Sequence, residues 1–449
     1  MDCTVDLLQS SNYVTHKLFY EIEPIVGKQV SYIDAVVSNI MNFIEQLKGR
    51  LKPHPNIKIT FVDELCSLKY NEKHEIGFDA SDVILNHINT LRRVSLHGSS
   101  FVKSIEIYYD NAIKYISDNV MKIINRLQNL HLLFGNRSYN MTGRNGVTLA
   151  DFTIKLYLYS NVRTANTNRS GPEYLRQLTD TQHKCFNTVS GSTDLYGIAG
   201  KRFSIVVSRL EDSLGLLTHE VLHAIRFVEC NNIPFKEGND NILYCEEGYV
   251  NAFSSIINGL LYCFENNMFD NIHIKNAIKL ELYHAINQAT KLSDITGISL
   301  ADTLENKHKL ANWEQHAKLY EYVYMRLLIL LNIDKLMDNK NLISKMICNT
   351  KIVWNDNDMT QLTDYIRDVM KIENSRHICE FIDYFLQIVK KNTDSTKDVC
   401  GNTIMQYFFF DPMQTTISHA THRMLGGANC FGPFQIYIHN KSMYQKLLK

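Results

Sequence analysis

Proline is scarce in this chain: there are seven in 449 residues, and none between Pro234 and Pro412. A proline-free interval of that length, carrying periodic apolar residues, reads as a helical subdomain. The ten cysteines include no Cys-x-x-Cys pair, which argues against a thiolate zinc site and fits free thiols in a reducing compartment. Neither sign of charge is in excess. Lysine plus arginine equals aspartate plus glutamate at 47 each, and without a basic tract neither nucleic acid nor an anionic membrane is expected as a partner. No apolar run approaches the length of a membrane-spanning helix. Met1 to Leu8 carry neither a basic n-region nor an apolar h-region, so no signal peptide is expected. The expected location is intracellular and cytoplasmic, or within a virion. The sequons at Asn136, Asn140, Asn168 and Asn440 are then read as chance in an Asn-rich chain. Richness in Asn, Ile, Lys and Tyr is a weak pointer to an AT-rich genome, such as that of a large virus or an intracellular microbe.

A chain of this length can bury a large core and is expected to divide into two or three parts. Ile33, Val36, Val37, Ile40, Phe43, Ile44 and Leu47 recur at helical spacing, and Pro53 and Pro55 end that helix. Residues 57–62 alternate like a short strand, and helices are expected near 80–94 and 102–134. The polar, turn-rich segment from Gly135 to Gly146 is the best boundary in the first half. Beyond it, Phe152 to Tyr159 and Arg202 to Ser208 read as strands, and Pro172 to about Lys184 as a helix. The expected fold class is α+β and mostly helical. It comprises a mainly helical domain over 1–145, a lobe of strands with one helix near its end over 146–235, and a helical lobe over 236–449.

Residues 219 to 223 read His-Glu-Val-Leu-His. On a helix, His219 and His223 lie one turn apart on one face, where two imidazoles can bind a single cation. Glu220 points beside them, where a general base toward an attacking water is needed. Leu216-Leu217-Thr218 and Ala224-Ile225 continue the helix without charge, Gly or Pro. With 17 histidines, the pattern arises by accident in only about 3% of such chains. A catalytic zinc uses three protein ligands. Cys245-Glu246-Glu247-Gly248 opens a second apolar helix with carboxylates on its first turn. Such a pair is also what a helix macrodipole favours on its own.

Here the chain resembles the gluzincin metallopeptidases, and most closely the collagenase-like peptidases. In that family His-Glu-x-x-His is followed by a Glu on a second helix, commonly as Glu-Gly. The resemblance covers roughly residues 150 to 335 and implies a zincin-like two-lobed core with an added N-terminal region. It implies one Zn²⁺ per chain on His219, His223 and Glu247, with Glu246 as the alternative third ligand, and peptide or protein substrates hydrolysed with Glu220 as base. The family usually carries an acid four residues after the third ligand. This chain has Asn251 there, which can still hold a histidine ring but brings no charge.

The resemblance further implies an edge strand that pairs with extended substrate, to which Gly197 and Gly200 could offer backbone groups. The same glycines would also suit a plain hairpin turn. It implies as well an aromatic residue facing the metal from a downstream helix, with Tyr320 first and His316 second. Tyrosines at such spacing also serve as ordinary core. His419 and His422 lack a third spaced partner and read as structural. Two further classes stay open: an impaired zincin-fold structural component that keeps zinc, for instance in a viral particle, and a helical interaction protein.

Overall fold

The computed structural model describes residues 28–53, 62–65, 91–97, 101–110, 116–141, 144–158, 191–194, 203–208, 213–234, 242–305 and 320–392. The first element is helix α1 (Lys28–Lys48), whose apolar stripe from Ile33 to Leu47 is buried as its spacing requires. Strands β1 (Val62–Leu65), β2 (Leu91–His97) and β3 (Ser104–Asp110) follow, then helix α2 (Ile116–Phe134). The helices expected near 80–94 and 102–134 are thus corrected at 91–97 and 104–110, which are strands. Ile105 and Ile107 are buried two residues apart, the period of a pleated strand. The helical pattern begins only with α2.

A small hairpin, β4 (Tyr139–Met141) with β5 (Arg144–Val147), leads to β6 (Thr153–Leu158). Next come β7 (Gly191–Asp194), β8 (Ser204–Ser208) and helix α3 (Ser213–Ala224). One six-stranded sheet has the order β1-β2-β3-β6-β8-β7. The pairs β3–β6 and β6–β8 are parallel and the others antiparallel. Ile105, Ile107, Ile154, Leu156, Ile205 and Val207 are all fully buried or nearly so, which suits central strands. The boundary expected at 145 falls inside the β4–β5 hairpin, and strands from both sides of it share this sheet. No separate helical domain over 1–145 is visible among the described residues.

The two-stranded pair β9 (Ile233–Pro234) and β10 (Ile242–Leu243) spans the second expected boundary and leads into α4 (Cys245–Glu265). Then come α5 (Asn271–Thr296), α6 (Leu300–Glu305) and, after residues outside the description, a π-helical turn (Glu321–Met325) continuous with α7 (Arg326–Leu331). Helices α8 (Ile333–Met337), α9 (Lys340–Met346), α10 (Asp356–Val369) and α11 (Ile372–Asn392) complete the described chain. One continuous apolar core runs from Ile33 on α1 to Ile382 on α11. No helix among the described residues is long and apolar enough to cross a membrane.

Two buried arginines join these pieces. Arg126 on α2 grips both carboxylate oxygens of Glu265 at 2.7 and 2.8 Å, and its remaining nitrogen reaches Asn258 at 2.6 Å and Thr218 at 3.2 Å. That single guanidinium ties α2 to both α3 and α4. Arg137, fully buried, donates to the carbonyls of Ile225, Arg226 and Phe227 and to those of Lys345, Met346 and Cys348. These carbonyls close the C-terminal ends of α3 and α9, where the helix dipole is negative. Burial lowers the pKa of Arg137 to about 10, which still leaves it charged at neutral pH.

Candidate metal centre

Helix α3 is apolar almost all round, and from Leu217 to Leu222 every residue is buried. Two histidines and a carboxylate in that setting need partners, because a buried polar group left alone is costly. His219 and His223 find each other and Glu247, which enters from the first turn of α4. The Nε2 atoms of the two histidines are 3.1 Å apart, and Glu247 Oε2 is 3.3 Å from each. Among the described residues these three form the one group of at least three His, Cys, Asp or Glu side chains that could hold a metal ion. The spacing fits a small divalent ion. Tetrahedral bonds of about 2.0–2.1 Å put neighbouring ligand atoms about 3.3–3.4 Å apart.

Glu246 does not point at that centre. Its Oε1 is 2.9 Å from His223 Nδ1, on the far side of the ring. A carboxylate only accepts, so it fixes a proton on Nδ1 and makes Nε2 the nitrogen that faces Glu247 and would bind an ion once its own proton is displaced. Burial alone would lower the His223 pKa, but the charge of Glu247 and the hydrogen bond to Glu246 together raise it well above the usual imidazole value. Glu220, also buried, lies on the same helix and takes no part in the triad. Its Oε2 accepts a hydrogen bond from the Thr193 hydroxyl on β7 at 2.8 Å.

Asn251 was expected to hold a ring N–H of His219 or His223. Its amide nitrogen donates to the backbone carbonyl of Tyr322 at 2.7 Å, and the Nδ1 side of His223 faces Glu246. The physical reason lies in the π-turn. Arg326 N–H bonds the carbonyls of Glu321 and Val323 and passes over that of Tyr322, which the Asn251 amide then serves.

The expectation for Tyr320 is corrected too. Tyr320 is fully buried against Tyr324, with its hydroxyl 3.3 Å from that of Thr303, in the core. The tyrosine at the centre is Tyr322. Its ring meets that of His219 edge-on at 6.0 Å, and its hydroxyl bonds Glu247. Burial, with the charges of Glu247 and Glu220 close by, raises its pKa well above the ordinary phenol value, so it remains a donor. Two further contacts hold the π-turn against α4. Glu321 accepts from Tyr244 N at 2.9 Å, and Gly248 gives Met325 room where any side chain would collide. Thr193, Tyr322 and the orienting role of Glu246 were missed in the sequence. Only Glu246 was signalled there, as the alternative ligand.

His316, Gly197 and Gly200 lie outside the described residues, as do His419 and His422. Among the described strands, the one at the edge of the sheet beside α3 is β7, not β8, whose two sides are both paired. Comparison with protein families, curated proteins and solved structures finds no match to this chain.

Proposed function

We propose that the chain is a zinc-dependent peptidase of the gluzincin kind, acting on peptide or protein substrates. The observation that carries this reading is the pairing of a complete His-His-Glu donor set with a buried glutamate, Glu220, that ligates nothing. A purely structural metal site has no use for such a carboxylate. The donor set favours zinc: two imidazole nitrogens and one oxygen are too few and too nitrogen-rich for Ca²⁺, which takes six to eight oxygens.

His219, His223 and Glu247 would hold the ion, with Glu246 fixing the tautomer of His223. When bound, Zn²⁺ supplies Lewis acidity, polarising a carbonyl oxygen and acidifying a water. Glu220 would take the proton from the attacking water and return it to the leaving amine. Tyr322, kept protonated, would turn its O–H from Glu247 to the oxyanion of the tetrahedral intermediate, the role first expected of Tyr320. Among the described strands β7 ends the sheet beside α3, and there it would pair with an extended peptide.

Glu220→Gln separates the base from the ligands. It is expected to keep its metal and to lose hydrolysis by on the order of 10²- to 10⁴-fold, measured on a peptide library with metal content checked in parallel. Hydrolysis at the wild-type rate by Glu220→Gln would remove Glu220 from the reaction.

A further inference from the structure

We infer that Thr193, on the edge strand β7, is a positioning residue for Glu220; this rests on the peptidase reading above. Glu220 has a long side chain, and a general base works only where it meets the proton that it takes. Among the described residues, the Thr193 hydroxyl is the one recorded hydrogen-bond donor to the Glu220 carboxylate. The same hydroxyl oxygen lies 2.9 Å from the Glu220 backbone carbonyl and 2.8 Å from Oε2. It therefore holds the side chain against its own main chain and selects one arrangement of it.

Thr193 suits the task because a β-branched side chain is stiff at χ1, and its backbone is fixed by pairing with Ile205 on β8. With Oε2 held by Thr193, Oε1 is the oxygen left to receive a proton. The contact also joins the base to the strand on which substrate would lie. An extended peptide paired with β7 is thereby set in register with Glu220 itself, not only with the metal. An isolated threonine in a strand gives no hint of this in the sequence, because β7 and α3 are brought together only by the fold.

The test uses the full chain with Thr193→Val, which keeps the shape and removes the donor, and Thr193→Ser, which keeps the donor. Thr193→Val is expected to lower kcat about ten- to a hundred-fold, with KM and metal content unchanged. Thr193→Ser is expected to recover most of that loss. A kcat within about twofold of wild type for Thr193→Val, or a change in KM alone, would overturn the inference. So would equal losses in the Val and Ser variants. If Thr193→Val does not fold, Thr193→Ala against Thr193→Ser decides in the same way.

Should the wild-type chain hydrolyse no peptide, the peptidase reading falls and the contact is judged on the metal-free protein. There Thr193→Val should lower the urea midpoint more when Glu220 is present than in a Glu220→Ala background, where only the bond to the residue-220 backbone carbonyl is lost. Equal shifts in both backgrounds would overturn it.

Discussion

At the scale of single residues, the centre is an arrangement of buried charges that a cation would complete. Without one, Glu246 and Glu247 draw a proton onto His223 against the effect of burial. The sign of the pH dependence follows. The His223 pKa in the folded, metal-free chain is raised, so a proton competes with an incoming metal for that ring over a wider span of pH than at an ordinary imidazole. Apparent metal affinity should therefore rise with pH, by up to about tenfold per unit, while the free site remains protonated there. Competition titrations with a metal indicator at about pH 6, 7 and 8 would check this, and an affinity flat across that range would contradict it. His219 and His223 were legible as a pair because a helix makes four-residue spacing a statement about one face, whereas Glu247 was reached only through the resemblance to a family with Glu-Gly on a second helix. The choice between Glu246 and Glu247 was less legible. Neighbouring residues point about 100° apart, and both carboxylates turn out to touch His223, one on each ring nitrogen.

Among elements, the π-turn explains why the wrong tyrosine was expected. Tyr320 and Tyr322 differ by two positions, and a turn with an extra residue shifts the face that each presents. Periodicity of 3.6 cannot reveal such a turn, so Tyr320 goes to the core and Tyr322 to the metal centre. The same element explains Asn251, whose amide is used on the Tyr322 carbonyl. At Gly248 α4 lies tight against the π-turn, where an added Cβ would fall only 2.6 Å from Met325 Cγ and closer still to the sulfur. In an exposed helix interior, Gly→Ala stabilises by up to about 1 kcal/mol. Here Gly248→Ala should instead destabilise by about 1–3 kcal/mol, and adding Met325→Ala should restore part of the loss. Thermal melts of the three variants would decide, and a raised midpoint for Gly248→Ala alone would contradict the close approach. The strands β2 and β3 were misread as helix for a related reason. Short apolar runs fit either period, and the pairing that selects one is supplied by distant chain.

For the whole molecule, helices α2, α3 and α4 stand in fixed relation because buried polar hubs tie them together. Arg137 illustrates the cost of losing one. It satisfies six main-chain carbonyls from two regions more than a hundred residues apart. Arg137→Met should lower stability by more than about 3 kcal/mol, because buried carbonyls would lose their donor at both helix ends. A shift of the urea midpoint within the range of ordinary surface substitutions would contradict that role. Such hubs were invisible in the sequence, where Arg126 and Arg137 are two cations among many. The turn-rich segment around Gly135 to Gly146 holds a hairpin, and strands from both sides of it build one sheet, a pairing that turn signals in a sequence do not reveal.

The central claim is that His219, His223 and Glu247 form one metal site, and elemental analysis tests it most directly. Protein purified without chelators should carry one zinc per chain, and Glu247→Ala and His223→Ala should each lose it while remaining folded. A wild-type chain without metal, or full occupancy in either variant, would contradict the account.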